Sequence, residues 1–341
     1  MIQIHRDFES IAKWHSQSVM SNFNLANLIN GHIINNGTIE DNFLIFLSQN
    51  LEDVLSLHPI LLEKQIISKA NSILGNQYFT EKANRPNTPG RKPRLNKVFI
   101  ELLNSIFDYE KFCSYGTGYN AHCLTEKLEI KVCPYCNRNY ISTLKPNKSI
   151  AIGNQGGTRP TLDHFYLKSD YPYLALSFWN LIPSCFSCNT QFRNTKHFDI
   201  FNNIHPYLNG FENFLYFQTD IIDITEFIGN SNKIFELELK ENGKTIQNSF
   251  KLEKTKKNNL VFRLEEIYSQ NHKSDVREII QKAIIYDDKY SKSLYDNWSG
   301  IFTDEYDAQK MMLGNYTNIK DFEKRPLSKL TRDIANELGL I

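Results

Sequence analysis

The stretch that decides the fold covers residues 131–198 and contains two cysteine pairs, CPYC at residues 133–136 and CFSC at residues 185–188. Between them lies TLDHF at residues 161–165, and NLIP follows at residues 180–183. Two C-x-x-C knuckles offer four thiolates, a common ligand set for tetrahedral zinc with Zn–S distances of about 2.3 Å. We therefore predict one structural zinc ion, held by Cys133, Cys136, Cys185 and Cys188.

The first cysteine pair has a competing interpretation as a redox centre. CPYC after a short apolar segment is also typical of a glutaredoxin-type dithiol. A redox pair needs no second knuckle, and no thioredoxin-like run of strands and helices surrounds this one. The zinc interpretation is therefore favoured, and we expect the remaining cysteines, Cys113 and Cys123, to be core or free thiols.

Length and composition limit the class of protein. A chain of 341 residues is long enough for two or three domains. Its formal net charge is +1, so binding to nucleic acid would depend on local basic patches. Cysteines in knuckles fit a reducing compartment, and no apolar run has the length of a membrane span. We expect a cytoplasmic protein that does not bind membranes.

The segments around this stretch predict three domains: a helical domain over residues 1–112, a central domain over 113–204 and a mixed, mostly helical domain over 205–341. In the first, apolar residues at helical spacing precede Pro59, which predicts a helix start, and Gly75-Asn76 predicts a stop. The basic, proline-rich segment from Thr80 to Lys97 predicts a solvated loop, with phosphate contact as the alternative.

In the C-terminal region, the pattern predicts strands around residues 214–217 and 234–239 and a hairpin turn at Asn242-Gly243. Helices are expected from about Leu260 onwards.

The segment between the knuckles contains a candidate catalytic pair. Residues 160–165 read as a strand, which would direct Asp163 and His164 to opposite faces. A carboxylate and an amide oxygen can hold one Mg²⁺ that keeps several waters, a role that suits Asp163 and Asn189. A neutral imidazole can deprotonate water, a role that suits His164 if Asn180 orients its ring through a side-chain or backbone carbonyl.

The segment after the second knuckle, residues 189–198, lacks proline and glycine and can begin a helix. Asn189, Arg193, Lys196 and His197 would share one face of it. We expect Arg193, Lys196 and His197 to contact nucleic acid. Each candidate also has a structural alternative, because an Asp-His pair can be a hydrogen-bonded pair, Asn180 a turn residue and Asn189 a helix cap.

These motifs, in this order, resemble the four-cysteine subgroup of the HNH endonucleases, which have a ββα-metal fold. The motifs are the two knuckles, Asp163-His164, the NLIP segment at 180–183, Asn189 and the trailing Lys196. Within that subgroup, CPYCNRNYI at 133–141 and LDHFYLKSDYPYLAL at 162–176 resemble the HNH subunit of Septu-type anti-phage systems. That subunit works with an ABC/SMC-like ATPase.

The resemblance implies Asp163 and Asn189 as ligands of the catalytic metal, His164 as general base and Asn180 as its orienting residue. It also implies that the N-terminal helices or the segment 325–330 dock the ATPase. Two positions complicate the match: Leu167 stands where many relatives have proline, and His197 is an alternative to Asn189 as the last metal-site residue.

We therefore expect an α+β protein, mainly helical, with a central ββα-metal HNH module stapled by the four cysteines. The expected activity is metal-dependent hydrolysis of nucleic acid, DNA in preference to RNA, in a Septu-like defence complex. A zinc-stapled nucleic-acid-binding or adaptor module without catalysis is the alternative, and a stand-alone homing or restriction nuclease is a third interpretation.

Overall fold

Helices account for most of the secondary structure in a computed structural model of the chain. The described residues are 1–75, 78–79, 97–116, 118–147, 149, 156–211, 214–230, 233–242, 249–287 and 289–341. The predicted loop from Thr80 to Lys97 lies outside them except for Lys97, which begins a helix. The predicted turn at Asn242-Gly243 lies partly outside them, because Gly243 is not described.

The N-terminal region is helical, as its apolar spacing predicts. Its α-helices are α1 (Phe8–Phe23), α2 (Leu25–Gly31), α3 (Ile39–Gln49), α4 (Leu51–Ser56), α5 (Pro59–Leu61), α6 (Ser68–Leu74), α7 (Lys97–Ile106), α8 (Tyr109–Cys113) and α9 (Ala121–Leu128). Pro59 starts α5, as predicted, since proline already has the φ of a first helical residue. Gly75 ends α6 with a φ of 90°, a conformation that glycine adopts without steric cost.

The central region contains a two-stranded antiparallel sheet of β1 (Thr161–His164) and β2 (Leu181–Ser184). Asp163 pairs with Ile182 and His164 with Leu181. A π-helical segment, Ser187–Arg193, follows β2, and we call it the knuckle helix. The predicted strand around residues 160–165 is confirmed as β1.

The C-terminal region begins with a second sheet, β3 (Leu215–Thr219) paired with β4 (Leu237–Glu241). Both strands lie within a few residues of their predicted positions. Among the described residues, six α-helices follow: α10 (Ser249–Phe262), α11 (Leu264–Asn271), α12 (Lys273–Ile285), α13 (Tyr290–Asn297), α14 (Glu305–Leu313) and α15 (Ser328–Glu337). The predicted α+β class with dominant helices is confirmed. Among the described residues, no helix combines the length and the apolarity needed to cross a lipid bilayer.

Two hydrophobic cores organise these elements. The first extends from Met1 to Leu264 and joins side chains of the N-terminal helices to the four knuckle cysteines. The second joins β3 and β4 to residues of the C-terminal helices. The first core is continuous across residues 112 and 113, where the sequence suggests a boundary, and the three-domain division stays a prediction.

The C-terminal region is attached to the first knuckle through Asn137. Its backbone carbonyl accepts from the Leu327 amide at 2.7 Å, and its Oδ1 accepts from the Lys329 amide at 3.0 Å. Its Nδ2 donates to the Phe322 carbonyl at 2.9 Å. The start of α15 therefore lies against the residue that directly follows Cys136.

Candidate active site

The four knuckle cysteines come together in one buried cluster. Their sulfur atoms all lie within 4.8 Å of one another, and Sγ of Cys136 is 4.0 Å from Sγ of Cys185. Sulfurs at about 2.3 Å from a tetrahedral zinc are about 3.8 Å apart, so the spacing fits such an ion. Asn139 donates from Nδ2 to Sγ of Cys185 at 3.3 Å, which stabilises a thiolate there. The cluster could hold one metal ion such as zinc, as the sequence predicts.

Local backbone geometry brings each pair of sulfurs together. In the first knuckle, the Asn137 amide donates to the Cys133 carbonyl at 2.8 Å, and Asn137 has a φ of 52°. Asparagine tolerates this left-handed conformation better than most residues. In the second, the Asn189 amide donates to the Cys185 carbonyl at 3.0 Å, so that knuckle is the first turn of the knuckle helix.

A cavity of about 490 Å³ lies beside β1. Its walls come from α8, from β1 and its flanking loops, and from the knuckle helix. The polar side chains lining it include Tyr109, Glu110, Arg159, Asp163, His164, Lys168 and Asn189. Asp163 and His164 both line this cavity, although neighbours in a strand are expected to point to opposite faces.

His164 has the protonation state that a general base requires. Its Nε2 lies 3.1 Å from the Ala175 carbonyl, which can only accept, so Nε2 carries the hydrogen. Burial lowers the pKa of His164 to about 4, against the opposite effect of this hydrogen bond. The neutral ring therefore has its lone pair on Nδ1, which has no hydrogen bond within the described part of the chain. The Tyr109 ring packs edge-on against the imidazole at 4.5 Å.

Asn180 does not orient the ring of His164, contrary to the expectation from sequence. Its Oδ1 accepts from the Tyr166 amide at 2.6 Å, and its Nδ2 donates to the carbonyls of Tyr166 and Leu174. Its own carbonyl accepts from the Phe165 amide. Because these bonds occupy both the side-chain amide and the backbone carbonyl of Asn180, this residue fixes the loop between the two strands. The Ala175 carbonyl orients His164 instead.

Asp163 is buried and bonded on one side only. Its Oδ2 accepts from the Tyr135 hydroxyl at 2.6 Å and lies 3.7 Å from Nε of Arg193. Burial raises the pKa of the Asp163 carboxyl, and the Arg193 charge and the Tyr135 hydrogen bond oppose that effect. Oδ1 of Asp163 has no hydrogen bond to the residues described here, and it is not completely shielded from solvent. It is the oxygen available to a ligand in the cavity.

Asn189 completes a donor set that suits Mg²⁺. Its side chain is half-buried, lines the same cavity as Asp163 and has no hydrogen bond to any described residue. One carboxylate and one amide oxygen are enough protein ligands for an ion that usually keeps several waters. The residues present therefore fit the predicted ion. His197, the alternative, does not line the cavity, and its Nδ1 is 2.9 Å from Oδ2 of Asp170.

Arg193 is not placed to contact nucleic acid, which corrects the expectation for this residue. Its side chain is 0% exposed, and Nη2 donates to the carbonyls of His164 and Phe165 at 3.2 Å and 2.9 Å. The knuckle helix turns Arg193 inward, where its cation braces the end of β1. Lys196 and His197 are exposed, as a nucleic-acid contact requires.

Several cavity residues were not anticipated from sequence. Tyr109 and Glu110 come from α8, within the predicted helical domain over residues 1–112 and outside the predicted central domain. Lys168 Nζ lies 3.2 Å from Oε1 of Glu110, so the two walls of the cavity are linked by an ion pair. Arg159 and Lys168 lie close in sequence to Asp163 and His164. Positive charges beside a candidate catalytic pair were the one sequence signal that could have predicted further cavity residues.

Comparison with protein-family models, with curated proteins and with solved structures finds no match.

Proposed function

We propose that this chain is a metal-dependent nuclease of the HNH type that hydrolyses phosphodiester bonds, with DNA as the preferred substrate over RNA. One observation carries the proposal: the carboxylate of Asp163, the neutral ring of His164 and the unbonded amide of Asn189 line one cavity beside a four-cysteine cluster. The antiparallel strand pair followed by the knuckle helix is consistent with an HNH module.

In this proposal each residue has a defined task. His164 takes the proton of the attacking water at Nδ1, while the Ala175 carbonyl holds its Nε2–H. Arg159 and Lys168 contact substrate phosphates from either side of the strand. Asp163 and Asn189 would hold Mg²⁺, which when bound neutralises charge on the scissile phosphate and on the leaving oxygen. The four cysteines hold zinc and do not contact the substrate.

The test is His164→Ala in the full-length chain, assayed with Mg²⁺ on duplex DNA, single-stranded DNA and RNA. We expect cleavage to fall by about 10²-fold or more, since general-base catalysis contributes that much. Zinc content should stay that of the wild type, and the variant should remain folded at the assay temperature. The matched control is His32→Ala, an exposed histidine at the end of α2 and outside the cavity, which should cleave normally.

Unchanged cleavage by His164→Ala would overturn the nuclease assignment. A zinc-stapled adaptor without catalysis has one observation in its favour, namely that Asp163 is already paired with Tyr135 and Arg193. It predicts nucleic-acid binding that survives substitution of both Asp163 and His164, with no Mg²⁺-dependent product.

We further propose that the nuclease acts with an ABC/SMC-like ATPase in a Septu-like anti-phage complex, on the strength of the two strings that carry the resemblance. The segment 325–330 is a poor candidate for docking the ATPase, because Ser328, Lys329 and Leu330 are buried against the rest of the chain. An ATPase gene beside this one would support the proposal. Efficient DNA cleavage by the purified chain alone would favour a stand-alone homing or restriction nuclease.

A further inference from the structure

Tyr135 connects the cysteine cluster to the cavity. It lies between Cys133 and Cys136 in the first knuckle and is 0% exposed. Its hydroxyl donates to Oδ2 of Asp163 at 2.6 Å. A hydrogen bond to a carboxylate is stronger and shorter than one between neutral groups, so it fixes the orientation of the carboxylate plane.

The position of the Tyr135 hydroxyl is fixed by the knuckle and by a ring beneath it. The Tyr135 ring stacks on Phe262 with centroids 4.5 Å apart and planes at 20°. Phe262 is buried at the end of α10. With a sulfur ligand on each side and this stack on its face, the phenol has little freedom to move.

Arg193 lies near the same oxygen of Asp163. Its Nε lies 3.7 Å from Oδ2 of Asp163, and its Nη2 is bonded to the carbonyls of His164 and Phe165. Nε and Nη1 are buried and have no hydrogen-bond partner among the residues that the structure describes. The Arg193 guanidinium is thus directed at Asp163 and held in place by the carbonyls of the two residues after Asp163. Oδ2 of Asp163 therefore faces protein groups, and Oδ1 remains available to the cavity.

We propose that Tyr135 is a positioning residue which, together with Arg193, sets the Asp163 carboxylate so that Oδ1 can bind a divalent cation. The cysteine cluster is thereby coupled to the cation site, because both depend on the same knuckle. The inference rests on the proposed function only for the presence of a divalent cation at Asp163.

The experiment measures Mn²⁺ binding to the zinc-loaded full chain by electron paramagnetic resonance, independently of cleavage. Asp163→Asn should abolish binding at this site and thus identify it. Tyr135→Phe removes one oxygen atom and should weaken Mn²⁺ binding by about tenfold or more, as loss of a residue that orients a metal ligand typically does. Zinc content should remain at the wild-type level.

The matched control is Tyr268→Phe. Tyr268 is also buried, and its hydroxyl donates to the Cys136 carbonyl at 2.7 Å, on the same knuckle but away from Asp163. A general loosening of the knuckle would weaken Mn²⁺ binding in both variants, whereas the proposed role affects only Tyr135→Phe. Equal weakening in the two variants, or wild-type affinity in Tyr135→Phe, overturns the proposal.

A second variant keeps the proposal testable if Tyr135→Phe fails to retain zinc. Phe262→Leu removes the stacking surface under Tyr135 and leaves the hydroxyl in place. It should weaken Mn²⁺ binding to a smaller extent, and unchanged affinity in a folded, zinc-loaded Phe262→Leu chain counts against the proposal.

Failure of the proposed function would be distinguishable. One distinguishing result is a wild-type chain that cleaves no nucleic acid and still binds Mn²⁺ with an affinity that falls in Asp163→Asn and Tyr135→Phe. That result would support the positioning role of Tyr135 and overturn the nuclease assignment. If cleavage is present, Tyr135→Phe should raise the Mg²⁺ concentration for half-maximal rate, whereas His164→Ala should lower the maximal rate without that shift. If Asp163→Asn binds Mn²⁺ like the wild type, the positioning role and the metal-ligand role of Asp163 are both overturned, whereas cleavage that depends on His164 would keep the nuclease assignment.

Discussion

Asn180 illustrates how a residue of a catalytic type can serve a structural purpose. Its side-chain amide makes three hydrogen bonds, all to backbone groups of Tyr166 and Leu174, and it is 0% exposed. Because the amide satisfies buried polar groups between the two strands, its loss would leave them unpaired. The contribution of Asn180 should therefore appear in stability more than in catalysis.

We predict that Asn180→Ala lowers the free energy of unfolding by about 2–4 kcal/mol, since each buried hydrogen bond contributes about 1 kcal/mol and unpaired partners add a penalty. Denaturant unfolding measures this change. Asn189→Ala is the matched control, because that half-buried side chain has no hydrogen bond to the described residues and its loss should change stability by less than about 0.5 kcal/mol. An Asn180→Ala chain of wild-type stability that no longer cleaves would return Asn180 to a role in chemistry.

At the scale of elements, the start of α15 and the first knuckle depend on each other. Asn137 has a positive φ and binds backbone groups of Phe322, Leu327 and Lys329. Leu327 itself has a φ of 62°, so the chain enters α15 through a conformation that needs outside support. Lys329 and Asp333 then form a buried ion pair at 2.6 Å, and Asp333 also accepts from the Phe217 amide in β3. The helix thus joins the first knuckle to the second sheet.

We predict that Asn137→Gly, which keeps the positive φ but removes the side-chain bonds, speeds hydrogen exchange at the Lys329 amide by about tenfold. The physical reason is that this amide loses its acceptor, Oδ1 of Asn137. Asn35→Gly is the control, because Asn35 has a φ of 53° but an exposed side chain. Equal protection of Lys329 in both variants would contradict the anchoring role.

At the scale of the whole molecule, the cysteine cluster joins segments far apart in sequence. The four cysteines belong to the first core, together with the N-terminal helices, and the residue that follows Cys136 anchors the C-terminal region. A metal at the cluster would therefore stabilise both regions, because thiolates about fifty positions apart are brought together only in the folded chain.

We predict that Cys188→Ser, or removal of zinc by a chelator at neutral pH, lowers the melting temperature by roughly 10 °C or more. Metal analysis of the wild type should give one zinc ion per chain. Cys123→Ser is the matched control, since Cys123 is partly exposed and lies outside the cluster. A Cys188→Ser chain with wild-type melting temperature would show that the cluster contributes nothing to the fold.

The sequence by itself determined the parts that depend on local patterns. The C-x-x-C spacing predicted the cysteine cluster, the mixture of β-branched and apolar residues around Asp163 predicted β1, and apolar periodicity predicted the N-terminal helices. These predictions hold because a knuckle, a strand and an amphipathic helix each follow from residues close together in the chain.

Only the tertiary structure decided which groups meet. The carbonyl that accepts from His164 belongs to Ala175, and the hydroxyl that donates to Asp163 belongs to Tyr135. One wall of the cavity is formed by α8. The knuckle helix buries Arg193, which was expected from the sequence to contact nucleic acid. Every residue has a backbone carbonyl, so the sequence does not indicate which carbonyl will bond to His164. The packing of distant segments depends on the whole core, so the sequence did not predict that Tyr135 and α8 meet Asp163 and His164.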